Sequence, residues 1–234
     1  MTNKIISYIS PCDKNTELKL EINKNVFTPT ATSDFLIKAV FETINQKKSI
    51  LDLGCGNGVV GITLLKHEKS KEMYFSDISL DAVKLTKRNL NLNNLNGVVK
   101  LSNIFSNWEG TFFDVIVNDI SGIAEEIAIN STWFKNIPSK SGKDGTNNIL
   151  EVLQKSKKFL KPGGILFFPI ISLSNTNKIK CYAKKLFKKV NLISHSEWFL
   201  PNDLALNIDL IQKLKEKENI YYCEKFGKVI CWTE

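Results

Sequence analysis

The sequence predicts an α/β fold: a doubly wound, mostly parallel seven-stranded sheet with helices on both faces and an antiparallel terminal strand. Three observations carry that prediction. Short apolar runs alternate with amphipathic stretches along most of the chain, as strands buried on both faces between crossover helices do. One such run, Ile50 to Leu53, is followed by glycines at 54, 56 and 58 and by Gly61 a helical turn on, the pattern of a buried strand turning tightly into a helix. A second run, MYFSD, closes on Asp77, nineteen positions after Gly58. A βαβ unit that binds a nucleoside places its ribose-binding acid about there.

In chain order, ELKLEIN sets Leu18, Leu20 and Ile22 on one side, which predicts a strand or hairpin in an N-terminal extension, residues 1–25, ahead of a main domain over 26–234. Pro29 then bends the chain, Thr30 to Ser33 offer N-cap hydroxyls, and Phe35, Leu36, Ala39, Val40 and Ile44 form a helical stripe. Ser49 to Leu53 reads as the first sheet strand and Val59 to His67 as its helix. Glu72 to Asp77 is the second strand, followed by a helix over Leu80 to Leu92 that Ser79 can cap. Val98 to Ser102 and Asp114 to Val117 are the third and fourth strands. Pro162 ends a helix, and the two glycines after it permit a turn into a fifth strand, Ile165 to Ile170. A helix over Asn175 to Lys189 leads to a sixth strand, Val190 to Phe199. A helix over Leu204 to Lys215 then interrupts a terminal hairpin of Ile220 to Glu224 and Lys228 to Thr233.

Composition narrows the class. A hydrophobic content of 43% is that of a globular domain rather than a disordered chain. No apolar run reaches the length of a membrane span, and Met1 to Lys14 lacks the apolar core of a signal peptide, so a cytoplasmic protein without a membrane partner is expected. Cysteines at 12, 55, 181, 223 and 231 form neither a CxxC pair nor a disulfide framework and read as reduced thiols. The net charge of +8 is concentrated in Lys155 to Lys161 and Lys178 to Lys189. These runs read as solvated helix faces or as a footprint for a polyanion, and the aromatics within them, Phe159, Tyr182 and Phe187, do not interleave with the lysines as a stacking platform needs.

Cys55 and Asn57 carry the only side chains of the glycine turn, so a ligand can lie against backbone N–H groups at the start of the following helix. The dinucleotide pattern GxGxxG fails because position 59 is Val59. LDLGCGNG, with Asp52 ahead of the first glycine, instead resembles the first motif of the Rossmann-like S-adenosylmethionine-dependent methyltransferases. FSDIS with the helix LDAVKLTKRNLNLNNL is similar to their second. The resemblance covers about residues 26 to 172. It is nearest to the branch of the release factor glutamine methyltransferases and the small-domain methyltransferases of ribosomal RNA.

That resemblance implies S-adenosylmethionine as cofactor. Gly54, Cys55, Gly56, Asn57 and Gly58 would hold its amino-acid end, Asp52 its ammonium, and Asp77, with Ile78 beside it, the ribose. Asn103 stands where the family often has an acid for the adenine amine, and its amide oxygen can accept the same bond, with Ile104 over the ring. Phe27, Pro29 and Thr32 match a segment that closes over the cofactor.

After the fourth strand, family members that methylate planar nitrogens carry Asn or Asp, two prolines and an aromatic. This chain has Asp119, Ile120, Ser121 and Gly122. The acid matches; the prolines and the aromatic are gone, and the segment is similar also to the Asn-Ile-Leu segment of ribosomal-protein lysine methyltransferases. Asp119 would orient an amine or receive the acceptor's proton, with Ser121 beside it. Glu125 and Glu126 either join Asp119 around a cationic acceptor or complement a helix dipole, and Trp133 is either an acceptor contact or a hydrophobic anchor. SGKDGT and KPGG are frequent in the glutamine methyltransferase branch. His67 and His195 accompany no nucleophile elbow, and no spacing suggests zinc.

The expected function is therefore methyl transfer from S-adenosylmethionine to a nitrogen or oxygen acceptor on a protein or amine-bearing small molecule. The alternatives are an RNA acceptor, or a non-catalytic subunit that keeps the cofactor fold as a binding module. Nothing in the sequence sets an oligomeric state.

Overall fold

The computed structural model describes residues 4–120, 122–134, 137 and 139–234. The chain divides into two compact units, residues 1–120 with 155–168 and residues 121–154 with 169–234.

The first unit opens with an antiparallel hairpin, β1 (Lys4–Ile9) and β2 (Glu17–Ile22), followed by α1 (Ala31–Thr43). The sheet strands are β3 (Lys48–Leu53), β4 (Ser70–Asp77), β5 (Val98–Leu101), β6 (Phe113–Asn118) and β7 (Leu160–Phe167), with α2 (Val59–Lys66) and α3 (Leu80–Leu92) between the first three. Their order is β5-β4-β3-β6-β7, and every neighbouring pair is parallel. Central β3 is buried along Ser49 to Leu53, which is why its sequence is a continuous apolar run broken only by Asp52. The hairpin's alternation has the same cause: Leu18 and Leu20 are fully buried and share a core with Ile37, Ile50, Ile62 and Phe75. Burying each such side chain contributes about 1.5–3 kcal/mol.

The second unit contains α4 (Glu125–Asn130), a short 3-10 turn at Thr132–Phe134, most of α5 (Asn147–Ser156), and α6 (Thr176–Leu186). It continues through β8 (Ser196–Phe199), α7 (Asn202–Ala205), α8 (Ile208–Glu218), β9 (Cys223–Lys225) and β10 (Lys228–Thr233). Ile123, Ile127, Leu173, Leu204 and Ile211 form its own apolar cluster. No helix among the described residues is long and apolar enough to cross a membrane.

The α/β class with a mostly parallel sheet holds, but the strands do not form one sheet of seven. Five are parallel, and β8, β10 and β9 pair antiparallel in a sheet of their own. Both edges of β10 are occupied, by β8 and by β9 through a two-residue turn, Phe226 and Gly227, in which both φ angles are positive. The sixth predicted strand shrinks to Ser196–Phe199, since the exposed residues before it present no alternating face. The KPGG stretch lies inside β7 instead of ahead of it. A register shift opposite Phe113 and Val115 forms a bulge there, where a proline without an N–H is tolerated.

Candidate functional site

The parallel sheet grows from β3 through β4 to β5, then returns to add β6 and β7 on the other side. Ligands in open parallel sheets lie beyond the carboxyl ends of the strands at such a reversal. Asp52, Asp77 and Asp119 stand there, at the ends of β3 and β4 and just past β6.

Asp52 is fully buried, and its Oδ2 accepts the Gly61 N–H at 2.8 Å. Burial pushes its pKa up to about 8; the Gly61 bond opposes the rise, and the charges of Asp119 and Asp77 add to it. Gly61 can come so close because it has no side chain: a Cβ there would lie 2.3 Å from the Phe75 ring of β4.

Asp77 joins the turn to β4. Its Oδ2 accepts the Gly56 N–H at 2.9 Å and its Oδ1 the Ser79 N–H at 2.8 Å. Burial raises its pKa against these bonds. The Ile78 N–H adds a further bond, and the carboxylate's acceptor capacity is still not filled, so the residue that anchors the turn can also receive a hydroxyl.

The glycine turn does not present a row of bare N–H groups, contrary to the sequence expectation. The N–H groups of Gly54 and Cys55 both donate to the Ser76 carbonyl, at 2.8 and 3.0 Å; that of Gly58 donates to the Cys55 carbonyl at 2.7 Å, and that of Val59 to Asn57 Oδ1 at 3.2 Å. Positive φ at Gly54, Gly56 and Gly58 curls the backbone onto β4 and uses the donors internally. The Cys55 thiol packs inward, 3.4 Å from Thr86 Oγ1, and burial raises its pKa well above the usual thiol value.

Thr86 and Asn89 of α3 hold the outer side of the turn, and the sequence reading missed both. The Thr86 hydroxyl donates to the Gly56 carbonyl at 3.0 Å; Asn89 Nδ2 donates to the Asn57 carbonyl at 2.8 Å and to that of Glu21 at 3.1 Å. Their signal was present: two polar residues occupy the buried stripe of α3 beside Leu85 and Leu90.

Asp119 is fixed by its neighbours. Its N–H donates to the Leu53 carbonyl at 3.2 Å, and its Oδ2 accepts the Ser33 hydroxyl at 2.9 Å. Burial pushes its pKa up to about 6, opposed by that hydroxyl. The adjoining Ile120 presses on the turn, since a Cβ on Gly54 would lie 2.5 Å from it.

The segment before α1 runs close to the turn: the Phe27 carbonyl oxygen is 3.9 Å from where a Cβ on Gly56 would sit. Pro29 and Thr32 are half-buried beyond it. Thr30 is the N-cap of α1, yet its hydroxyl makes no capping bond. Past β5, Asn103 is exposed and Ile104 is buried with φ of 51°. A β-branched residue is rare in that conformation, and the Ser102 hydroxyl, donating to the Ile104 carbonyl at 2.9 Å, helps hold it. Ile78 is 68% exposed.

The remaining candidates lie in the second unit. Glu125 and Glu126 occupy the first turn of α4, where carboxylates complement the helix dipole. Trp133 packs edge-on against Trp198 at 5.8 Å, as an anchor would. The Ser121 expectation lies outside the described residues. Among the described residues no group of three acids, histidines or cysteines is placed to hold a metal.

Four buried polar atoms at this edge have no hydrogen-bond partner among the described residues: Asp52 Oδ1, Asn57 Nδ2, Ser76 Oγ and Asn118 Oδ1. Leu53 pairs in register with Ser76 on one side and Asn118 on the other, so unsatisfied groups flank the end of the central strand. Such atoms are costly unless a ligand meets them. Three acids beside spare donors and acceptors suit a ligand with positive charge, hydroxyls and amines. Fold and site together define an α/β protein built for a cationic nucleoside cofactor.

Known proteins agree. Residues 17–119 match the family described as Methyltransferase small domain. A release factor glutamine methyltransferase of Clostridium acetobutylicum is 32% identical over 176 residues, 70% of this chain and 62% of that protein. A Methanocaldococcus jannaschii protein provisionally named a protein N5-glutamine methyltransferase is 30% identical over 75% of this chain and 87% of its own length. Among solved structures, a T. thermophilus 16S rRNA N2 methyltransferase has a TM-score of 0.59 at 17% identity, over all of this chain and 51% of that one; it shows the fold. The chain belongs to the Rossmann-like S-adenosylmethionine-dependent methyltransferases, in the branch of the small-domain and glutamine methyltransferases. It spans about three fifths of the length of several of the release factor enzymes it matches.

Proposed function

We propose that the chain is an S-adenosylmethionine-dependent N-methyltransferase acting on a protein side chain, with a release factor glutamine the first acceptor to test. One observation carries the reading: three carboxylates, each with its pKa raised by burial, gather at the ends of adjacent parallel strands beside a glycine turn. Among the described residues no ion pair neutralises any of the three. The relatives named as release factor glutamine methyltransferases support the choice of acceptor.

The cofactor, when bound, supplies a methyl group on a positively charged sulfur, already activated for displacement. The chain's own residues bind and align. Asp52 Oδ1 receives the ammonium, directly or through water, and Asp77 the ribose hydroxyls through its free acceptor positions. Asn103 accepts from the adenine amine, and Ile104 and Ile78 cover the ring. The segment carrying Phe27, Pro29 and Thr32 shields the turn from water. Asp119 accepts an N–H of the acceptor, fixes the nitrogen's direction and takes its proton. With Ile120 where planar-nitrogen enzymes have proline, hydrogen bonding rather than stacking holds the acceptor. Glu125, Glu126 and Trp133 keep the structural roles their contacts give them.

The test is incubation of the full chain with tritiated S-adenosylmethionine and purified bacterial release factors. Label recovered on a glutamine supports the proposal. Calorimetry that finds no cofactor binding at millimolar concentration overturns the enzyme reading. Binding without label on a release factor moves the acceptor elsewhere.

A further inference from the structure

We infer that Ser33 is a positioning residue for Asp119: its hydroxyl holds Oδ2, so that Oδ1 is the atom left to meet the N–H of a methyl acceptor. This rests on the methyltransferase reading above and adds to it a residue that no motif names.

Ser33 is 3% exposed and lies 86 positions from Asp119, so the bond exists only because the fold brings α1 to the end of β6. A serine in a first helical turn ordinarily spends its hydroxyl on its own backbone or on water. This one donates to a carboxylate at 2.9 Å. The Asp119 backbone is fixed independently by the bond from its N–H to the Leu53 carbonyl. Held at the main chain and at Oδ2, the carboxylate has one orientation. No donor among the described residues reaches Oδ1.

The pin is itself anchored. Asp34, next to Ser33, accepts the Tyr8 hydroxyl of β1, which fastens the first turn of α1 to the hairpin. Around Asp119 stand Asp52 of β3, with Asp77 of β4 beyond it, and Ser33 of α1. Among the described residues no lysine or arginine pairs with Asp119. The Ser33 hydroxyl is thus the group that favours its ionised form against burial. An ionised Asp119 can take the acceptor's proton at Oδ1 and return it to solvent; a protonated one cannot.

The experiment follows the Asp119 carboxyl carbon by NMR across pH in the full chain without cofactor, for wild type, Ser33→Ala and Ser33→Thr. Loss of a hydrogen bond to a charged group moves the titration midpoint up by about one pH unit in Ser33→Ala, and Ser33→Thr returns it close to wild type. Should Ser33→Ala not fold, Ser33→Cys keeps the volume, weakens the donor and moves the midpoint in the same direction. A midpoint that does not move overturns the inference. In turnover, Ser33→Ala lowers kcat about threefold at pH 6.5, from the smaller ionised fraction, and little at pH 8.5, with KM for S-adenosylmethionine unchanged. An equal loss at both pH values overturns it too. Calorimetry of wild type with S-adenosylmethionine keeps the two readings apart: no binding overturns the methyltransferase assignment, whereas binding with an unmoved midpoint overturns only the role of Ser33.

Discussion

The two edges of the parallel sheet treat their carboxylates in opposite ways. At the amino edge, Asp114 accepts the Ser49 N–H and the Ser49 hydroxyl, each at 2.8 Å, and Lys161 Nζ lies 3.2 Å away. Burial works against its ionised form, but Ser49 and Lys161 overcome it and hold the pKa at about 2. At the carboxyl edge, Asp52 and Asp119 have pKa values pushed up to about 8 and about 6 by the same burial, each with one strong donor and no cation. One edge satisfies its acid and gains stability; the other withholds partners and is left to be completed by something that binds. A sheet optimised for stability alone would treat both edges alike.

The most damaging test of that contrast is Asp52→Asn. A carboxyl whose folded pKa is raised contributes stability that is fully present below its unfolded pKa, near 4, and lost as pH rises through about 8. The protein without cofactor should therefore lose stability between pH 4 and pH 8. Asparagine can keep the bond from Gly61 and carries no charge, so the variant should be more stable than wild type at pH 8.5 by about 2–5 kcal/mol and equal to it at pH 4. Scanning calorimetry at the two pH values measures this. A variant that melts below wild type at pH 8.5 would mean that Asp52 is structural and the contrast false.

Asp77→Ala sharpens the contrast from the ligand side. Asp77 is the proposed acceptor of the ribose hydroxyls and the anchor of Gly56, so its removal should weaken S-adenosylmethionine binding by roughly 10- to 100-fold. Isothermal titration calorimetry reads the change. Unaltered affinity would show that the ribose lies elsewhere.

How far the sequence reaches follows from the same chemistry. The parallel sheet, its glycine turn and its acids at 52, 77 and 119 were legible because each leaves a local mark: an apolar run, alternating glycines, an acid at a strand end. The use of the turn's N–H groups was not, because it depends on how far three left-handed residues curl onto β4. Ser33 illustrates the other limit. Read alone, it is one of several capping hydroxyls; its partner is 86 residues away and appears only when α1 reaches the end of β6. The separate antiparallel sheet escaped for a related reason, since pairing of β8 with β10 across α7 and α8 has no local signature.

The amino edge gives the smallest effect and the opposite sign. Asp114 has a depressed folded pKa, so its contribution is present above the unfolded value, near 4, and lost as pH falls through about 2. Lys161→Met removes the cation and leaves both Ser49 bonds, and the Asp114 side chain is 25% exposed. After allowance for solvent screening, the loss should be about 1 kcal/mol at pH 6 and about a third of that at pH 2, where Asp114 is about half protonated in the wild type. Urea unfolding at the two pH values provides the measurement. A loss that persists undiminished at pH 2 would show that Lys161 acts through its aliphatic stem rather than through Asp114.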